Sequence, residues 1–112
     1  MFYTFTQNNS GGSFVTDDIS GIGEYVIIEA KSAKQANEIA ENKGIYFNGC
    51  DDGTDCSCCG DRWYPVDESD GNYTPLVYGE DAKTYISTWG LRGSLFIHYS
   101  NGVIQKVNIS KQ

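Results

Sequence analysis

Residues 25–44 constrain the fold more than any other stretch. Tyr25-Val26-Ile27-Ile28 is apolar and largely β-branched, which predicts a strand from Tyr25 to Ala30. A helix is predicted directly after it, from Ser32 to Lys43. Ser32 is a good N-cap, and Gln35 three residues later gives a capping box. Ala33, Ala36, Ile39 and Ala40 recur at helical spacing. Lys43 in the last turn suits the negative end of the helix, and Gly44 supplies the stop. A stripe made mostly of alanine lets a helix lie close on a sheet. With 112 residues the chain holds one domain and one modest core, so this strand and helix must share it with everything else. Eight Tyr, five Phe and two Trp supply much of the apolar area such a core needs.

The remaining elements are read around that unit. Met1 to Gln7 alternates and is aromatic and Thr-rich, so it reads as a strand. Asn8 to Gly12 is a turn, and Ser13 to Thr16 is expected to return as a short strand of an N-terminal hairpin. Asp17 to Gly23 reads as loop. Ile45-Tyr46-Phe47 is expected to be a strand leading into a cysteine-bearing acidic loop at about residues 49–72. Asp61 to Glu80 reads as irregular, with a short strand near Leu76 to Tyr78. Ser94–Tyr99 and Val103–Ile109 flank Asn101-Gly102, which predicts a hairpin with a type I′ turn. The expected fold is α+β: one antiparallel or mixed sheet, one helix packed on it, and the acidic insertion.

Charge is concentrated in the middle of the chain. The net charge is −7. Between Asp51 and Asp81 stand nine acidic residues and one basic residue, Arg62, a balance of −8; the rest carries six acidic and seven basic residues, a balance of +1. Such a distribution excludes nucleic acid as the expected ligand, because phosphate binding needs Lys and Arg. It fits a basic partner surface, or simply a solvated acidic loop. No apolar run reaches membrane-spanning length, and the first ten residues lack the pattern of a signal peptide. A cytoplasmic protein, monomeric or a small homo-oligomer, is therefore expected.

All four cysteines lie between Cys50 and Cys59. Cys56 and Cys59 form C-x-x-C followed by Gly60, the spacing of a zinc knuckle. A cytosolic setting favours metal ligands or free thiols over disulfides. The expected cofactor is a structural Zn2+ held by Cys56 and Cys59, with Cys50 as third ligand and Cys58 or His98 as fourth. The bland alternative is four thiols in a surface loop or small core. A dithiol redox role is disfavoured, since Asp55 and Asp61 flank the motif where a basic setting would be needed. A calcium loop starting at Asp51 fails, because its twelfth position is Arg62 rather than glutamate.

Other chemistry is sparse. His98, the lone histidine, would pair with a cysteine in a nucleophilic site, yet a histidine on an apolar strand is more often structural. No nucleophile elbow, phosphate loop or dinucleotide fingerprint occurs, and no catalytic residue is assigned. Trp63, Tyr64, Tyr73, Tyr78 and Tyr85 lie in or near the acidic stretch, where they serve either as core or as binding hot spots. The candidate partner-binding residues are Asp61, Arg62, Trp63, Tyr64, Asp67 and Tyr73.

The opening Met1-Phe2-Tyr3-Thr4-Phe5-Thr6-Gln7-Asn8-Asn9-Ser10-Gly11-Gly12-Ser13-Phe14 and the later Asp55-Cys56-Ser57-Cys58-Cys59-Gly60-Asp61-Arg62-Trp63 resemble small proteins of tailed bacteriophages, a family of unknown function. The resemblance implies a free-standing domain in the cytoplasm of an infected bacterium. It carries no activity and no site residues. Phage proteins of this class often redirect host or defence machinery. The leading expectation is thus a non-enzymatic accessory protein that binds a host or defence protein through the acidic segment. The alternative is a sponge for a small nucleotide signal, with Arg62, Arg92 or Lys83 on the phosphates. An enzyme using zinc or a cysteine–histidine pair comes third.

Overall fold

The structure, a computed structural model, describes residues 1–8, 16–51, 53–54, 60–84, 86–87, 94–108 and 110–111. Its centre is a mixed five-stranded sheet. Strand β1 (Phe2–Thr6) and strand β2 (Tyr25–Glu29) pair antiparallel, and helix α1 spans Ala33–Asn42. The short strands β3 (Gly71–Asn72), β4 (Leu76–Val77), β5 (Glu80–Asp81) and β6 (Ile86–Ser87) follow. Strands β7 (Ser94–His98) and β8 (Ile104–Asn108) form the C-terminal hairpin, and β9 is Ser110–Lys111. The order across the main sheet is β3-β1-β2-β7-β8, with β2 and β7 parallel. The α+β expectation holds, and of its two options the sheet takes the mixed one.

The unbroken apolar run of β2 is explained by its place. It lies between β1 and β7 and is buried on both faces, so it has no polar side to show. Val26 and Ile28 face one core together with Tyr3, Phe5, Ala33, Ala36 and Ala40. Tyr25 and Ile27 face the other, with Leu95, Ile97, Val77 and Ala82. Three alanines buried on α1 bring the helix down on the first face, as their small size predicts. Ser32 caps the helix, its Oγ accepting the Gln35 N–H at 3.1 Å. The capping box is not closed as expected: Gln35 Oε1 accepts from the Lys31 N–H instead, at 2.7 Å.

Two further expectations are corrected. Residues 45–47 are not a strand: Ile45 drops into the helix-side core as irregular chain, with Tyr46 and Phe47 packed against that core. The β7–β8 turn is not type I′. Tyr99 N–H donates to Val103 O and Gly102 N–H to Tyr99 O, at 2.9 and 3.0 Å, and of Asn101 and Gly102 only the glycine has positive φ, +90°. This is the longer hairpin loop in which a type I turn is followed by a left-handed glycine. The proposed return strand at Ser13–Thr16 lies almost wholly outside the described residues.

The acidic segment is not an appendage. Trp63 and Val66 are buried in the helix-side core, β3 pairs with β1 at the sheet edge, and Val77 and Ala82 enter the opposite core. Residues 60–84 thus pass from one face of the sheet, around its edge, to the other. The expected loop at 49–72 is therefore integral from residue 60 onward, because Trp63 and Val66 belong to the helix-side core and β3 to the sheet edge.

Candidate functional site

With so few ladder hydrogen bonds of its own, the acidic segment satisfies its backbone through side chains. Asn37 on α1 acts as a two-point clamp: its Nδ2 donates to Val66 O and its Oδ1 accepts the Val66 N–H, each at 2.9 Å. Thr4 Oγ1 donates to Leu76 O at 2.6 Å, and Asn8 Nδ2 to Asp61 O at 3.1 Å. The carboxylates do the same. Asp61 accepts the Cys50 N–H, Glu68 the Ala33 N–H at the start of α1, and Asp81 the Lys83 N–H. Around the 3-10 turn Glu68–Asp70, Asp67 accepts from Ser69 N–H and Oγ while Asp70 accepts from Asp67 N–H. Glu68 also accepts the Tyr3 hydroxyl at 3.1 Å, and burial together with that carboxylate pushes the Tyr3 phenol above its ordinary value. Charged acceptors at such N–H groups make stronger bonds than neutral ones. Part of the acidity read as partner recognition is thus the means by which the chain is fixed.

The candidate partner residues separate accordingly. Trp63 is 2% exposed and belongs to the core. Arg62 is buried, and its guanidinium donates to Gln7 Oε1 at 2.8 Å. Of the other basic residues named for the nucleotide reading, Lys83 is exposed, and Arg92 lies outside the described residues. Asp61 is half-buried. Asp67, Tyr64 and Tyr73 are exposed, with Tyr73 at 89%.

Tyr78 is placed differently from its expected position at the end of a strand. It forms the β4–β5 turn with Gly79, at φ +50° and +80°, and remains 71% exposed. Two positive φ angles are what a two-residue type I′ hairpin needs, but a bulky residue there is rare and strained. Its ring and that of Tyr25 pack edge-to-face, with centroids 6.1 Å apart. No sequence signal marks this turn, since Tyr-Gly is not a turn pair of the Asn-Gly kind. Tyr73 and Tyr78 share the stretch 71–81 with Glu80 and Asp81, both exposed.

The proposed zinc ligands Cys56, Cys58 and Cys59, and Tyr85 among the aromatics, lie outside the described residues. Cys50 is half-buried, and its N–H donates to Asp61 at 2.9 Å. Among the described residues no group of three His, Cys, Asp or Glu side chains is arranged to hold a metal ion. His98 sits deep in the sheet at 3% exposure, with Nε2 2.7 Å from the carbonyl of Gly21. Gly21 has φ +76°, and a Cβ there would lie 2.6 Å from His98 Cε1, so only glycine admits this approach. Burial lowers the pKa of His98, the Lys43 charge adds to this, and the Gly21 bond opposes it. No helix among the described residues is long and apolar enough to cross a membrane.

Comparison with known proteins gives one match. A family model described as a domain of unknown function, DUF7296, matches residues 1–112. No curated protein and no solved structure matches.

Proposed function

The chain belongs to this family of unknown function, and from the geometry of its acidic segment we propose that it is a non-enzymatic protein-binding module. Its exposed tyrosines, Tyr73 and Tyr78 foremost and Tyr64 beside the buried Trp63, contact a partner protein with a basic surface. The observation that carries this reading is Tyr78, a large side chain that is 71% exposed on a left-handed backbone, φ +50°. Strain of that kind is retained where the side chain has a task, and costs about 1–3 kcal/mol. The hydrogen bonds of the surrounding carboxylates fix the chain, so little ordering is required on binding. Exposed tyrosines such as Tyr73 and Tyr78 are the residue type that dominates interface energetics.

The resemblance to tailed-phage proteins makes a bacterial host or defence protein the expected partner. A structural zinc at Cys56 and Cys59, with Cys50 as a further thiolate and Cys58 or His98 completing the set, belongs to the same reading. It is supported by the C-x-x-C-G spacing. Native mass spectrometry tests the metal: a mass one zinc above the chain, lost in Cys56→Ser, supports it, and the bare chain mass overturns it.

The binding reading is tested by affinity capture from bacterial lysate at two salt concentrations. A partner retained by the native chain should weaken steeply with salt and be lost from Tyr73→Ala/Tyr78→Asn. Capture that is indifferent to salt, or unchanged in the double variant, contradicts it.

A further inference from the structure

Strand β8 ends the main sheet at the edge opposite β3, and among the described residues it pairs with β7 alone. The bond from Tyr99 N–H to Val103 O sets the alternation of that ladder. Gln105 and Val107 therefore turn their backbone groups to β7, and Ile104 and Lys106 turn theirs outward. An open edge of this kind is a template for another strand, and proteins usually blunt it, often with a projecting lysine.

Here the lysine is drawn aside. Lys106 Nζ donates to Asp18 Oδ2 at 3.0 Å and stands 5.8 Å from the centre of the Phe96 ring. Phe96 is its cross-strand partner on β7, so the ammonium lies back over its own sheet. Beside it are exposed apolar side chains, Ile104 at 41% and Val103 at 53%. The loop 17–22 flanks this edge. It meets β8 through Asp18 and through Gly21, where a Cβ would lie 3.0 Å from Ile104 Cγ2. The same loop carries Ile19, 94% exposed, and is fixed by the Asp17 carboxylate, which accepts the Ile19 and Ser20 N–H groups.

We propose that β8 is a self-association edge, pairing antiparallel with the β8 of a second copy across a two-fold axis so that two five-stranded sheets become one. Charge favours a second copy as the occupant. The carboxylates of Asp67, Glu68 and Asp70 adjoin β3, four strand spacings from β8 and roughly 19 Å away. That exceeds the Debye length of about 8 Å at physiological salt. Two chains of net charge −7 thus meet at β8 with these carboxylates held apart. Each Lys106 brings its own Asp18, so the two-fold sets ion pair against ion pair rather than cation against cation. Isologous pairing needs no other sequence, because the outward N–H and C=O groups of one strand meet the same groups on its copy. The proposal does not rest on the tyrosine surface.

Sedimentation of the full chain across a range of concentrations, with amide exchange followed by NMR in the same samples, tests this. The mass should rise to twice that of the chain below about 1 mM. Over the same rise, exchange of the outward Lys106 amide should slow about tenfold or more, while Gln105, bonded to β7, stays protected throughout. Ile104→Pro removes an outward N–H at the first position of the strand, where proline is tolerated. Ile104→Lys keeps the backbone and sets a further charge on each edge. Both variants should fold and remain monomeric. A native chain that is still monomeric at about 1 mM overturns the proposal. So does a dimer that leaves Lys106 exchange unchanged with concentration, or one that persists in the folded Ile104→Lys variant.

Discussion

In the sheet, β1, β2 and β7 hold one another through continuous backbone ladders, five residue pairs between β1 and β2 and four between β2 and β7. Across residues 60–84 the ladders shrink to two pairs at a time, and side chains take over: Asn37, Thr4, Asn8 and the carboxylates. The first region is specified by apolar periodicity, which is local. The second is specified by hydrogen bonds between residues far apart in sequence, such as Thr4 with Leu76 and Glu68 with Ala33. The difference shows how a stretch with no long element is made rigid. It also shows why its acidity need not mean recognition: several carboxylates are already occupied, whereas the tyrosines between them are left outside.

The sharpest way to probe this division is at Trp63 and Tyr64, neighbours with opposite surroundings. Trp63→Ala empties a core position and should cost about 3–5 kcal/mol in chemical denaturation. Tyr64→Ala, on the surface at 53% exposure, should cost less than about 0.5 kcal/mol. Equal costs would erase the boundary drawn between core and face.

Next in size is the clamp. Asn37→Ala leaves both Val66 backbone groups without their partner and should destabilise by about 1–3 kcal/mol. Limited proteolysis should show new cleavage within 60–75 and none in β2 or β7.

A smaller effect follows from His98. Its folded pKa lies below the ordinary 6.5, so in the window beneath 6.5 the unfolded chain holds a proton that the folded chain does not. Stability is therefore fully present above that window and falls as pH drops into it. An NMR titration of the lone histidine should give a midpoint below 6.5 in the folded state, with the unfolding midpoint decreasing on acidification through the same range. A folded midpoint at or above 6.5 contradicts this. Tyr78→Asn is also expected to change stability little. Asparagine tolerates the left-handed backbone, which offsets the lost Tyr25 contact, so the net change should stay within about 1 kcal/mol while partner capture falls.

The sequence was legible where structure follows from neighbours. The strand and helix of residues 25–44, the N-terminal strand and the C-terminal hairpin all carry local periodicity, a cap or a turn pair. The type of the Asn101-Gly102 turn was missed because the dipeptide permits more than one loop, and the backbone bonds of Tyr99 decide between them. Residues 60–84 were illegible for the opposite reason. Nothing near Val66 announces that Asn37 will clamp it, and nothing in the spacing of Trp63 distinguishes it from Tyr64. The site fared likewise. The exposure of Tyr73 is not marked in the sequence beyond its acidic neighbours, the strained turn at Tyr78 has no sequence mark, and the orphaned nitrogen of His98 emerges only once Gly21 is placed against its ring.

Amide hydrogen exchange of the full chain, followed by NMR in the native protein and in Asn37→Ala, tests most directly that side-chain bonds fix the acidic segment. The expected result is that Val66 and Ala33 exchange about a hundredfold or more slowly than an unstructured peptide. Asn37→Ala should release Val66 while Ile27 and Phe96 stay protected. Val66 and Ala33 exchanging at peptide rates in the native chain, beneath a protected sheet, would contradict it: the tyrosine face would then have no fixed support.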